Sequence, residues 1–391
     1  INPDIVIINT CGFIDKAKQE SIDTILKHAK EKEDGIIKKL YVTGCLSERY
    51  KDDLKTDIPE VDGFYGTRDL PELLKNFEAK YRNELLGDRI ITTDSHYAYL
   101  KISEGCDRPC SFCAIPLMRG RHISKPIDQI ILEAKNLVRN GVREIMLIAQ
   151  DSTYYGIDIY KKRAMSELLK KLSDVEGLDW IRIHYAYPAG FPMDIIEVMR
   201  ERDNICNYLD IPLQHGSTKM LKVMKRGITR EKTDELIKNI RDINPEIALR
   251  TTLIAGHPGE TERDFQEMYD FVERSQFDRL GIFTYSHEEG TSAHKLEDDV
   301  PEQVKRSRSN KIMALQQKIS TQKNKNKVGK TVKVLIDRVD ANNYYGRTEQ
   351  DSPEVDNEVI IPSKEMHLRV GDFYDVKITD SKEYDLIGKV D

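Results

Sequence analysis

Long apolar runs are missing from these 391 residues, and no stretch approaches the roughly 20 apolar residues that a membrane-crossing helix needs. Cysteine is scarce too. Six in a chain of this length are too few for a disulfide framework, and with no apolar signal segment in view the expected setting is a reducing cytoplasm. Neither sign of charge dominates, since 61 Lys and Arg face 67 Asp and Glu for a net charge of -6. With 39% hydrophobic and 33% charged residues, the composition is that of a globular protein with a heavily solvated surface and two or three domains. An initiator methionine is also lacking. The chain opens on Ile1-Asn2-Pro3, so residues are expected before it.

The few cysteines are unevenly placed. Three fall within eight positions as Cys106-Asp-Arg-Pro-Cys110-Ser-Phe-Cys113. Scattered cysteines would produce this spacing on the order of one time in a thousand. Three thiolates at this pitch suit an iron-sulfur cube: they hold three of its four irons from one loop and leave the fourth open to a ligand that is not protein. A structural zinc site would ask for a fourth Cys or His, and the nearest downstream histidine, His122, follows Arg119-Gly-Arg121 in a segment that suits a loop. Cys206 has no cysteine neighbour and is expected in the core.

Around these cysteines the chain divides into three segments, 1–88, 95–322 and 325–391. The first begins with the strand-like run Ile5 to Ile8, which leads to Asn9-Thr10-Cys11-Gly12-Phe13. A helical pattern follows through Ile22, Ile25, Leu26 and Ala29, and then the run Lys39 to Val42 ends at Thr43-Gly44-Cys45. Cys11 and Cys45 thus stand at the carboxyl ends of strands in a small open α/β sheet, the edge where such sheets bind ligands.

The second segment alternates strand and helix. Strands are expected at Tyr97–Ile102, Glu144–Ala149, Trp180–Tyr185, Tyr208–Ile211, Leu249–Ala255 and Arg279–Tyr285. After the cysteine loop, Pro126 suits a first helical turn, and Ile127, Ile130, Ile131, Ala134, Leu137 and Val138 line one face. Six such units make a parallel (βα)6 barrel, complete or partial, whose working face gathers the loops after the strands. Those loops carry Gln150-Asp-Ser152, His184-Tyr-Ala-Tyr187, Gln214-His-Gly216 and Gly256-His-Pro-Gly259-Glu260. The last is equally well a tight turn before a helix capped by Thr261, with Asp264 completing a capping box.

A basic stretch from Gln303 to Lys330 carries nine Lys and Arg and no acid, a pattern expected of a solvated helix. Period-two alternation then begins at Val332, Val334 and Ile336, and about five short strands make a small all-β barrel of OB-like size. Residues 331–391 hold 8 Lys and Arg against 14 Asp and Glu, which is the whole acidic excess of the chain. Asp351, Glu354 and Asp356 are among these acids, and their field is expected to repel RNA and to steer a basic protein.

Taken together, these elements resemble the radical S-adenosylmethionine methylthiotransferases. The likeness rests on Cys106-x-x-x-Cys110-x-x-Cys113 with Phe112, Asn9-Thr-Cys11-Gly-Phe, Thr43-Gly-Cys45, Leu213-Gln-His215, Gly256-His-Pro-Gly-Glu-Thr261, Tyr285-Ser-His-Glu-Glu-Gly-Thr291 and the C-terminal barrel, which in that family is the TRAM domain. The resemblance implies two [4Fe-4S] clusters. Cys106, Cys110 and Cys113 would hold the first, whose open iron chelates S-adenosylmethionine, and Cys11 and Cys45 would belong to the second. The family uses a third N-terminal cysteine, which would lie before Ile1. Phe112, Gln150, Gln214, Arg250 and Glu260 are the candidate cofactor contacts. The branch resembled most closely methylthiolates the β-carbon of an aspartate in a basic small-subunit ribosomal protein, drawing electrons from a donor such as flavodoxin or ferredoxin. The alternatives are a tRNA adenosine methylthiotransferase and a metal-stabilised binding module without catalysis.

Overall fold

The structure is a computed structural model that describes residues 3–77, 89–363 and 367–390. The expected end of the first segment, at residue 88, lies outside them. Two compact units emerge. One takes the described residues within Ile1–Leu85 together with Glu104–Ile123 and Ser286–Glu297, and the other takes the rest. Among the described residues no helix is long and apolar enough to cross a membrane.

In the first unit, strands β1 (Ile5–Thr10), β2 (Lys39–Gly44) and β3 (Gly63–Phe64) form a parallel sheet in sequential order. Helix α1 (Asp15–Glu33) joins the first two strands and buries Ile25 and Ala29, two of the positions its spacing nominates. Leu26, assigned to the same face, is 49% exposed, because a helix of this length buries a narrower stripe than the pattern suggests. Helix α2 (Cys45–Asp57) and strand β3 were not foreseen. A two-residue strand is too short to carry a period.

The second unit is built on six parallel strands: β4 (Tyr97–Lys101), β5 (Glu144–Ile148), β6 (Trp180–Ile183), β7 (Ile205–Asp210), β8 (Ala248–Ala255) and β9 (Arg279–Thr284). They pair in sequential order, with β4 and β9 at the two edges, as in a partial barrel. One face packs on helices and is aliphatic, with Leu100, Leu147, Ile183, Leu209 and Leu253 almost fully buried. Helix α3, as we number Ile127–Arg139, adds Ile127, Ile130, Ala134 and Leu137 to that layer, each burial contributing roughly 1–3 kcal/mol. Strand β7 begins three residues before its expected start and takes in Cys206, which is 1% exposed and has its thiol pushed up to about 12 by burial. That is a core cysteine.

The opposite face of the sheet carries the charged residues Glu144, Arg182, Arg250 and Arg279, and the C-terminal barrel packs against them. Strands β10 (Thr331–Val339), β11 (Asn343–Arg347), β12 (Val359–Pro362), β13 (Phe373–Ser381) and β14 (Leu386–Val390) close in the order β10-β11-β12-β14-β13. Leu335 and Phe373 of this barrel pack against Trp180, Cys206, Tyr208 and Ala248. Ion pairs then join the two layers. Arg347 of the barrel reaches Glu144 at 2.7 Å, Arg279 pairs with Asp351 and Arg250 lies 3.4 Å from Asp356; Tyr97 adds a hydrogen bond to Glu354 at 3.0 Å, and within the barrel Asp337 holds Arg347 at 2.6 Å.

For Asp351 and Asp356 the expected steering role is corrected by this geometry. Asp351 is 2% exposed; burial works to raise its carboxyl, but the Arg279 guanidinium offsets that and holds it below the usual carboxylate range. Asp351 and Asp356 are engaged by arginines of the sheet and do not face an incoming partner. The basic stretch is corrected for the same reason. Helix α4, as we number Glu302–Lys325, buries Lys305, Arg308, Ile312, Leu315, Gln316 and Ile319 along one side. Lys305 pairs with Asp298 at 2.7 Å and Arg308 with Glu260 at 2.8 Å, so two of the nine cations act inside the fold.

Candidate metal centre and active site

The three-cysteine loop lies in the first unit, and short backbone bonds close it on itself. Cys106 N–H donates to the Gly120 carbonyl at 3.0 Å, Cys113 N–H to the Cys110 carbonyl at 3.2 Å, and His122 N–H to Asp107 at 3.2 Å. Gly105 makes the entry turn possible. Its φ is +79°, and a Cβ there would sit 2.1 Å from the Arg121 carbonyl oxygen. All three cysteines are part-exposed, and among the described residues no disulfide joins any of the six.

Cys11 and Cys45 are brought to the same end of the small sheet, as their places after β1 and β2 require. Gly12 lies so close to the second strand end that a Cβ would approach the Cys45 carbonyl within 2.9 Å and the Leu46 nitrogen within 2.8 Å. Thr10 donates to the Thr43 carbonyl at 2.7 Å, and the Ser21 hydroxyl accepts from Cys11 N–H at 3.0 Å. Cys45 is 7% exposed and packs with Ala114 and Met118, the residues just beyond Cys113. Both sets of cysteines therefore belong to one compact unit.

A third piece of chain fastens them, and it is the part sequence reasoning missed. Glu288, 3% exposed, lies 3.0 Å from Lys18 and 3.4 Å from Arg49, while Arg49 also donates to the Gly12 carbonyl at 3.2 Å. Ala293 N–H donates to the Ser111 carbonyl at 2.7 Å. Residues 286–297 thus tie the Cys11 side to the Cys106 loop. Nothing local in Ser286-His-Glu-Glu-Gly290 signals this, because its partners lie some 240 to 270 positions away in sequence.

The remaining candidates sit in the second unit. Gln150 follows β5, and Gln214 follows β7 with its backbone held to β8 on both sides, by N–H to Thr252 at 2.9 Å and by its carbonyl from Ile254 at 2.8 Å. Arg250 pairs with Asp210 at 3.0 Å, which is fully buried and whose carboxyl burial pushes up despite that guanidinium. Glu260 accepts from Gly256 N–H at 2.7 Å and from Arg308 at 2.8 Å, and lies 3.4 Å from His215. It holds the Gly-His-Pro-Gly turn from inside. Thr261 and Asp264 form the expected capping box at the start of the next helix. Phe112 lies in the first unit, between Ser111 and Cys113.

Among the described residues no three His, Cys, Asp or Glu side chains converge on a single metal ion. A cube asks for less convergence, since each thiolate takes its own iron at a separate corner. Three part-exposed thiols on one closed loop fit that demand.

Fold and cysteine loop together define a radical S-adenosylmethionine enzyme, and comparison with known proteins bears this out. Residues 100–272 match the Radical SAM superfamily, 328–390 the TRAM domain and 2–66 the uncharacterized protein family UPF0004. Among solved structures, the radical S-adenosylmethionine methyltransferase TsrM from Kitasatospora setae, with cobalamin and a [4Fe-4S] cluster bound, aligns with TM-score 0.54 at 13% identity, over 72% of this chain and 63% of that one. At such identity the likeness is one of fold. Relatives of known name are much nearer: ribosomal protein uS12 methylthiotransferase RimO of Cytophaga hutchinsonii is 59% identical over 100% of this chain and 89% of that protein. The proteins of the same name from Chloroherpeton thalassium and Bacteroides thetaiotaomicron are 56% and 53% identical, covering 99% and 100% of this chain and 90% of each relative. The chain belongs to the RimO family of radical S-adenosylmethionine methylthiotransferases. Such an enzyme works with an iron-sulfur cluster and S-adenosylmethionine.

Proposed function

We propose that this protein adds a methylthio group to the β-carbon of an aspartate in the small-subunit ribosomal protein uS12. The observation that carries the reading is the near-full-length similarity to proteins bearing that activity in their name, joined to a three-cysteine loop and a second cysteine pair in one compact unit. Cys106, Cys110 and Cys113 hold one [4Fe-4S] cluster, and Cys11 and Cys45 contribute to a second. When bound, cluster and S-adenosylmethionine supply a 5′-deoxyadenosyl radical able to take hydrogen from an unactivated carbon.

The protein's own residues bind, orient and exclude water. Gln150 and Gln214 at the strand ends of the second unit would contact S-adenosylmethionine, with Arg250 and Glu260 holding the strand ends and the turn there, and Phe112 is the candidate contact of the first unit. The three segments 1–88, 95–322 and 325–391 divide the labour as sulfur-carrying domain, radical domain and TRAM barrel. The reaction runs in the cytoplasm with an electron donor such as flavodoxin or ferredoxin. A tRNA substrate is not favoured, because no relative named above bears that activity in its name.

Full-length protein, reconstituted with iron and sulfide under anaerobic conditions, is incubated with reductant, S-adenosylmethionine and either uS12 or tRNA. A mass gain of one methylthio group on uS12 is the expected product. Modified tRNA beside untouched uS12 overturns the reading, and material without iron and acid-labile sulfide overturns the chemistry.

A further inference from the structure

Tyr185 stands at the carboxyl end of β6 with φ +59°, a left-handed backbone that a bulky aromatic residue rarely adopts. The surrounding chain enforces it. Tyr185 N–H donates to the Asp210 carboxylate at 3.1 Å, its carbonyl accepts from Ser152 N–H at 3.1 Å, and Ala186 N–H donates to the Asp210 carbonyl at 2.9 Å. Asp210 is itself fixed by Arg250 at 3.0 Å. Loops after β5 and β6 and the end of β7 thus meet to hold one strained residue, and strain persists only where neighbours over-determine it.

The residues on either side show what the twist achieves. The ring of His184 turns to the buried face, where its Nε2 lies 3.0 Å from the Ser352 hydroxyl. Tyr187 is also buried, its hydroxyl donating to the Arg226 carbonyl at 2.8 Å. Tyr185 between them is 47% exposed, and its hydroxyl makes no hydrogen bond to any described residue. A core tyrosine would be buried and bonded. This one is held out at the strand-end edge, where a parallel barrel binds its ligands.

We propose that Tyr185 is a substrate-contacting residue whose phenol donates a hydrogen bond to the side-chain carboxylate of the target aspartate. The inference rests on the uS12 reading above and adds to it the group that aims the aspartate. A neutral phenol suits an anion as donor, and partial burial beside Asp210 raises its pKa and keeps the proton in place. Fixing the carboxylate fixes the adjacent β-carbon, which is the atom to be functionalised. S-adenosylmethionine is the competing occupant of the same hydroxyl, and the test separates the two.

Tyr185→Phe keeps the ring and the backbone and removes only the donor. In full-length reconstituted enzyme, KM for uS12 is expected to rise about tenfold, the loss of one hydrogen bond to a charged group. More 5′-deoxyadenosine should also form per methylthiolated product, with the thermal midpoint unmoved. A merely structural role predicts the reverse, a lowered midpoint with KM and product ratio intact, and that result overturns the proposal. So does a weaker dissociation constant for S-adenosylmethionine with unchanged KM for uS12. If wild-type enzyme leaves uS12 unmodified, the substrate reading falls and the proposal with it; if wild type modifies uS12 and Tyr185→Phe matches it, only the role of the tyrosine falls.

Discussion

The two units of this protein solve opposite problems. In the first, five cysteines are part-exposed or sit at strand ends, and loops hold them by backbone bonds at Cys106, Cys113, Cys11 and Ala293. In the second, charged residues of the sheet lie in the interior and are matched by opposite charges from the C-terminal barrel, Asp351 and Asp356 for its arginines and Arg347 for Glu144. A metal site needs a rigid frame, and here much of that frame is main chain. A buried ion network needs every charge matched, so its parts come from distant segments at once. One unit spends polarity on chemistry and the other on assembly.

The sharpest test of that contrast is to remove one group from each side of the cysteine unit. Cys110→Ala should abolish 5′-deoxyadenosine formation, whereas Cys45→Ala should stop methylthio transfer while leaving cleavage of S-adenosylmethionine measurable by chromatography. Equal loss of cleavage in both variants would show that the two cysteine sets do not divide the labour.

In the sheet unit, Arg347→Met leaves buried Glu144 with only Arg182 at 2.9 Å and Asp337 with only His96 at 2.8 Å, and should cost about 3–5 kcal/mol in urea unfolding. Asp351→Lys should likewise lower stability by placing a cation beside Arg279. If that variant instead unfolded like wild type and merely bound uS12 more weakly at low salt, Asp351 would be a docking group after all.

Acidity should bear on the same unit. Burial holds the His184 imidazole down to about 3, against about 6.5 in an unfolded chain, so the folded state takes up its proton later than the unfolded state does. Stability is therefore full above pH 6.5 and declines as pH falls toward 3, by about 1.4 kcal/mol per pH unit for this group. A His184→Gln variant whose unfolding midpoint declined just as steeply between pH 6.5 and 5 would remove that assignment. The smallest effect is expected at Thr261→Ala, which breaks a capping box and should cost about 1 kcal/mol.

Much of this was legible beforehand. The cysteine spacing, the helical face through Ile127, Ile130, Ala134 and Leu137, and the capping box at Thr261 depend on neighbours within a few positions, and local periodicity reports such neighbours directly. Strand ends were less secure. The expected strand through Tyr185 stops at Ile183, since the left-handed twist at Tyr185 ends it, and that twist is imposed by Asp210 and Ser152 from other loops. Asp351 and Asp356 were misjudged because composition counts charges without their partners. Asp351 meets Arg279 across 72 positions, and Glu144 meets Arg347 across 203.

By itself the sequence determined which chemistry is available: three thiols at a pitch suited to an iron-sulfur cube, six strand-helix units and a terminal β-barrel. Only the tertiary structure decided which charges are matched inside the fold, which loop fastens Cys11 to the Cys106 loop, and which aromatic ring is left at the strand ends with its hydroxyl bonded to no described residue. Spacing along a chain is set by covalent geometry, whereas pairing between distant side chains is set by packing, and packing exists only once the chain has folded.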